Sequence, residues 1–205
     1  CMNNLKESGL ATMLYTDDNG GVFPSISPAP ASDVNDNAVA TYDDWGGKVG
    51  TGNTTSNRLI NPYVAQAAVA TTNNGQLFCC PADNGAIGTS YTYPPGNRLP
   101  TEFNWYGTSY TYNSGANGND GTLGLYNKKT SAIRHPSLIV VANDFSFSAW
   151  FNNSKPFMIM RWHNTQDGYG NVVFVDQHAE YLAAILNRSN RDYRFGPNYS
   201  FIYND

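Results

Sequence analysis

Only one stretch of this chain carries a helical period long enough to organise a fold. Residues 2–16 (MNNLKESGLATMLYT) bring Met2, Leu5, Leu10, Met13 and Leu14 within about half the circumference of a helical wheel. Gly9 interrupts the stretch, at a propensity cost of about 1 kcal/mol. Asp17-Asp18-Asn19-Gly20-Gly21 ends it. An apolar stripe of this kind must be covered, so Leu5, Leu10, Met13 and Leu14 are predicted to pack the helix on whatever the rest of the chain builds.

That partner is encoded after residue 76. Residues 76–80 are short and apolar, and residues 80–85 (CPADNG) are turn chemistry. Residues 102–112 (EFNWYGTSYTY) are aromatic and β-branched, and read as one or two strands. Residues 138–142, just after Pro136, read as a central strand, and residues 156–162 alternate like another. Residues 171–175 and 178–182 read as two strands joined by Asp176-Gln177, a two-residue hairpin connection. Residues 24–57 lack a period and read as a long surface loop or inserted structure. Residues 61–70 suggest a second short helix, with Pro62 in its first turn. The plan is α+β in a single domain: a helix (1–17), a variable insertion (25–75), an antiparallel meander (76–186) and a tail (187–205).

Composition narrows the class. Charged residues are 14% of 205, well below the usual quarter, and 26 Asn, 19 Gly and 14 Tyr stand in their place. Aromatics at 14% with a net charge of -4 exclude a disordered chain. Twelve Lys+Arg against 16 Asp+Glu exclude a basic nucleic-acid binder. Apolar runs such as 138–142 and 172–175 are far too short to span a membrane. Such a chain reads as extracytoplasmic. Its cysteines are Cys1, Cys79 and Cys80, with no Cys-x-x-Cys pair and hence no zinc ribbon. Three readings stand: buried thiols, a Cys1–Cys80 bridge worth about 4.5 kcal/mol by chain entropy, or a strained vicinal Cys79–Cys80 bridge.

Six segments, taken in order, resemble one family. They are residues 1–11 (CMNNLKESGLA) running into 15–24 (YTDDNGGVFP); Phe78-Cys79-Cys80-Pro81-Ala82-Asp83; Ser109-Tyr110-Thr111-Tyr112-Asn113; Ile133-Arg134-His135-Pro136-Ser137 with 138–144; Arg161-Trp162-His163; and 171–178 (NVVFVDQH). Together they resemble the type IV pilin-like pseudopilins that carry a prepilin-type cleavage and methylation signal. The chain departs from that pattern twice. Twelve residues separate His163 from Asp176, an expansion around Asp167-Gly168-Tyr169-Gly170. The glycine of the last hairpin is Gln177, where a primed turn wants positive φ at a strain of about 1 kcal/mol. Residues 25–75 match nothing in the family.

The resemblance implies a leader removed by a prepilin peptidase and then an apolar helix of about twenty residues, which places Cys1 roughly thirty residues into the mature chain. The chain would be the soluble head of an inner-membrane-anchored subunit, beginning in the lower half of the long helix. Its partners would be other pilin-like subunits, through that upstream helix, and a type II secretion or pilus machinery. It would act by assembly, with no catalytic residue.

Chemistry is read beside that expectation. His163, Asp176 and His178 offer two imidazoles and a carboxylate, a known ligand set, and a hydrolase on His163 and Asp176 is the sharpest form of that idea. The structural reading has Asp176 cap the hairpin while both histidines bond loop carbonyls, and the family pattern favours it. No Gly-x-Ser-x-Gly, His-Glu-x-x-His or phosphate loop is present. Ca2+ is the better cofactor candidate, since major pseudopilins of type II secretion often carry it. Oxygen-rich stretches occur at Asp17-Asp18-Asn19, at 33–37 and at Asn117, Asn119 and Asp120. The alternative function is a secreted carbohydrate-binding module stacking sugars on Tyr91, Tyr93, Trp105, Tyr106, Tyr110 and Tyr112.

Overall fold

The computed structural model describes residues 1–25, 45–48, 58–64, 75–88, 96–114, 124–148, 158–164, 168–184 and 195–204. Helix α1 (Met2–Asp18) lies across a four-stranded antiparallel sheet, against β3, β5 and β6. The sheet order is β2 (Tyr110–Tyr112), β3 (Val140–Asp144), β5 (Tyr169–Phe174), β6 (Ala179–Ala183). Strand β4 (Met158–Ile159) leaves this sheet to pair with β1 (Ile87–Gly88). A short hairpin, β7 (Phe195–Gly196) and β8 (Tyr199–Ser200), docks its Ser200 beside Ile139. The fold is α+β, as the order of periods predicts.

The helix packs by only part of the predicted face. Leu5 is fully buried and Met13 packs half-buried on the core, but Leu10 and Leu14 are 52% and 43% exposed. The buried stripe is Leu5, Ser8, Gly9, Ala11, Thr12 and Thr16. Its hydroxyls need no outside partner. Ser8 donates to the Asn4 carbonyl at 2.9 Å, Thr12 to Ser8 at 2.8 Å, and Thr16 to Thr12 at 2.7 Å. Small residues let the helix approach closely: a Cβ on Gly9 would sit 2.9 Å from the Val173 side chain. Gly9 is therefore the contact point, not an interruption.

The sheet is covered on both sides. Val141 and Val173 face the main core with Leu5, Tyr110 and Tyr112, whereas Val140, Val172 and Phe174 pack on Phe147, Tyr199 and Phe201. Two buried faces explain why 172–175 is continuously apolar rather than alternating. Burial pushes the Tyr112 phenol well above its ordinary value of 10.0, and burial followed by the Asp144 charge does the same to Tyr110. In the unfolded chain both phenols ionise near pH 10, while the folded chain keeps them neutral. Their stabilisation is complete below about pH 10 and is lost as pH rises beyond it. In an alkaline titration, tyrosinate absorbance from these two rings should therefore rise only together with loss of near-ultraviolet circular dichroism. Ionisation near pH 10 in an intact fold would contradict this.

Several local expectations are corrected. The short apolar stretch 76–80, placed at the start of the meander, opens in a 3-10 turn, Gly75–Phe78, rather than a strand. Of 61–70, Asn61–Tyr63 is a 3-10 turn with Pro62 at its start, and 65–70 lie outside the described residues. The aromatic run 102–112 begins as a helix, α2 (Glu102–Tyr106). Thr101 caps it by accepting from the Asn104 amide, and Gly107 ends it at φ 85°. The surface-loop reading of 24–57 fails at Trp45, which is fully buried, and just beyond it Ile60 and Arg58 are buried too. Trp45 stacks on Tyr112 at 5.7 Å, and Arg58 donates to the carbonyls of Gly46, Lys48 and Tyr106.

The β5–β6 connection is a three-residue loop, Val175-Asp176-Gln177. Gln177 N–H donates to the Phe174 carbonyl at 2.9 Å, and Phe174 N–H to the His178 carbonyl at 3.0 Å. Only the third loop position, Gln177, has positive φ, at 75°. This is a turn followed by a left-handed bulge residue, not a two-residue primed turn. Gln177 also buries its Oε1 without a partner. Gln177→Gly is expected to raise stability by about 1 kcal/mol, since left-handed strain of about 1–2 kcal/mol outweighs the extra chain entropy of glycine. A urea midpoint that falls would refute it.

Candidate functional site

The start of α1 is where distant segments meet. A disulfide joins Cys1 to Cys80, with Cα atoms 4.8 Å apart across a separation of 79 residues. Of the three cysteine readings, this is the bridge present, and Cys79 is a free thiol. Asn4 ties the same turn down by donating to the Cys79 carbonyl at 3.0 Å.

Asp83 organises the turn that carries Cys80. Its carboxylate accepts from the Gly85 amide at 3.0 Å, the Glu102 amide at 3.3 Å, the Phe103 amide at 3.0 Å and the Ser109 hydroxyl at 2.7 Å. Two of these donors are the first-turn amides of α2, where a carboxylate is favoured by unpaired N–H groups. Ser109 Oγ in turn accepts from the Cys80 amide at 3.1 Å. Burial, then the nearby Asp83 charge, raises the Cys79 thiol above its ordinary 9.0, so it stays protonated at neutral pH.

On the other side of Cys80 stands His163. Its Nε2 lies 3.3 Å from Cys80 Sγ and 3.1 Å from Asp144 Oδ2. Asp144 is the last residue of β3, and its side chain is fully buried. The same Oδ2 accepts from the Asn171 amide at 2.6 Å and from Asn171 Nδ2 at 2.7 Å. Three donors around one oxygen put the proton of neutral His163 on Nε2. Asp144 Oδ1 is buried with no hydrogen-bond partner. Tyr181 meets His163 edge-on at 6.2 Å. The polar run is thus Asp83, Ser109, Cys80, His163, Asp144, Asn171.

No family model, curated protein or solved structure matches this chain. Among the described residues, no helix is long and apolar enough to cross a membrane.

The structure redistributes the residues singled out earlier. Among the described residues, His163 faces a carboxylate and a disulfide rather than a loop carbonyl. Asp176 and His178 form a separate pair at the hairpin, with Asp176 Oδ1 accepting from His178 Nδ1 at 2.5 Å and from the His178 amide at 3.2 Å. His178 stacks on Phe174 at 4.2 Å, with its Nε2 3.8 Å from Glu180. His163 and Asp176 each have other partners, so the hydrolase pairing is not assembled. Asp17, Asp18 and Asn19 are exposed at the end of α1; Asn117, Asn119, Asp120 and 33–37 lie outside the described residues.

Among the described residues, the rings named for a sugar platform do not form one exposed surface. Tyr106, Tyr110 and Tyr112 are buried, Trp105 stacks on Tyr106 at 5.9 Å, and Tyr91 and Tyr93 lie outside the described residues. Tyr106, Tyr110 and Tyr112 are packed core. Asp144, Asn171 and Asp83 were not singled out for chemistry. Each does lie inside a segment quoted for the family resemblance, and that is the signal that marks them.

Proposed function

We propose that this chain is the extracytoplasmic head of a pilin-like pseudopilin subunit, acting by assembly in a type II secretion or pilus-like filament rather than by catalysis. The observation that supports this reading is the convergence beneath α1. Cys80, Asp83, Ser109, Asp144, His163 and Asn171 come from segments that resemble the family, and they meet in one continuous polar run. Most of that run's polar atoms are engaged with one another. Such a network fixes the helix against the sheet, which is what a subunit loaded through its helix requires. The partners are other subunits, contacted through an apolar helix upstream of Cys1.

The test is the mature N-terminus of the native protein from a membrane fraction, read by intact and tandem mass spectrometry. The expected result is a methylated phenylalanine roughly thirty residues before Cys1, followed by an apolar helix of membrane-spanning length. A mature chain that begins close to Cys1, after an ordinary signal peptide, would overturn the proposal.

A further inference from the structure

We propose that Cys1, Cys80, His163 and Asp144 form a redox-gated site for a thiophilic divalent cation, with Zn2+ as the best fit. The site is closed while the two sulfurs are bonded and opens when the bridge is reduced. Cys1 Sγ, Cys80 Sγ and His163 Nε2 all lie within 4.8 Å of one another. Asp144 Oδ2 is 3.1 Å from the same Nε2.

Two of those spacings suit a tetrahedral ion, and the third is free to adjust once the sulfurs are no longer bonded. With Zn–S of about 2.3 Å and Zn–N or Zn–O of about 2.0 Å, neighbouring ligand atoms stand roughly 3.3–3.8 Å apart. The observed separations of 3.3 Å (Cys80 Sγ to Nε2) and 3.1 Å (Nε2 to Oδ2) are close to two such edges. Two thiolates, an imidazole and one carboxylate are a borderline-soft set that selects Zn2+ over Ca2+ or Mg2+. A second observation points the same way. Asp144 is a fully buried carboxylate whose Oδ1 has no hydrogen-bond partner. A cation held by the carboxylate would offset the burial of that charge. Asn171 already orients that carboxylate with two donors, the outer support that metal ligands need.

The chemistry balances with a dithiol as reductant. The dithiol supplies two electrons and two protons; the Cys1–Cys80 bond breaks, both sulfurs become thiols, and the dithiol closes to its own disulfide. Zn2+ then displaces the two thiol protons to solvent. His163 binds through Nε2 after its proton moves to Nδ1, and its 17% exposure gives water access for that exchange. Cys79 lies outside the cluster of Cys1, Cys80 and His163, and Asp144 joins that cluster only through its contact with His163 Nε2.

The test uses the full chain in a Cys79→Ser background, oxidised or reduced with a dithiol and desalted without air. Each form is titrated with Co2+ as a spectroscopic probe, and with Zn2+ against a chromophoric chelator. The reduced form should bind one ion per chain with a thiolate-to-Co2+ charge-transfer band, and the oxidised form should show no such band. His163→Ala and Asp144→Asn should each weaken binding at least about tenfold. An unchanged affinity in either variant, or equal binding by the oxidised form, overturns the four-ligand site. Should the reduced chain lose its near-ultraviolet circular dichroism, Zn2+ must restore it, because binding then supplies folding energy. Failure to restore it overturns the proposal equally.

Discussion

Cys80→Ser is expected to lower the unfolding free energy by about 4.5 kcal/mol, since the bridge closes a loop across 79 residues. The effect acts mainly on the unfolded chain, which loses one long-range restraint. With domain stabilities of about 5–15 kcal/mol, the variant would sit near the edge of folding. The measurement is urea unfolding of Cys79→Ser protein with and without reductant, in the presence of a chelator. Reduction should also raise the denaturant slope, because an uncrosslinked chain exposes more surface when it unfolds. A loss below about 1 kcal/mol would mean that the unfolded chain already holds residues 1 and 80 together, contrary to the chain-entropy account.

Asp83→Ala is expected to cost about 3–5 kcal/mol. One carboxylate accepts from three amides and a hydroxyl, and bonds to a charged acceptor contribute about 1.5–3 kcal/mol each without adding fully. Removing it leaves the α2 amides of Glu102 and Phe103 without their acceptor and frees Ser109, which positions Cys80. Asp83→Asn, which keeps the shape but loses the charge, should lie roughly midway. Faster hydrogen exchange at the Phe103 amide would localise the effect. A change under about 1 kcal/mol, with unaltered exchange there, would show that α2 holds its start without Asp83.

The sheet was legible because its strands are apolar runs bounded by Pro136, by glycines and by the Asp176-Gln177 turn. The helix was legible in extent but only partly in facing. Wheel reasoning assigned Leu10 and Leu14 to the core because it counts leucine as buried and threonine as exposed. Thr12 and Thr16 reverse that, since each hydroxyl is satisfied four residues back and costs little to bury. The strand reading of 102–106 gave weight to aromatic content over two end signals, Thr101 and Gly107, that mark a short helix. The site was half legible. Asp176 and His178 are close in sequence and meet locally. Asn171 finds Asp144 because β3 and β5 are sheet neighbours, and His163 reaches the same carboxylate from the segment between β4 and β5, tertiary facts that spacing alone does not contain.

The bridge also decides how mechanical load travels. Tension applied at Cys1 along α1 enters the body through a covalent link at Cys80, and the intervening chain up to residue 79 is bypassed. From Cys80 it spreads through Ser109 and Asp83 into α2 and the beginning of β2. The weak non-covalent contact at Gly9 and Val173 is shielded from peeling. Pulled from its helix end, such a body yields first where tension leaves the cross-link, at the hydrogen bonds of a single turn.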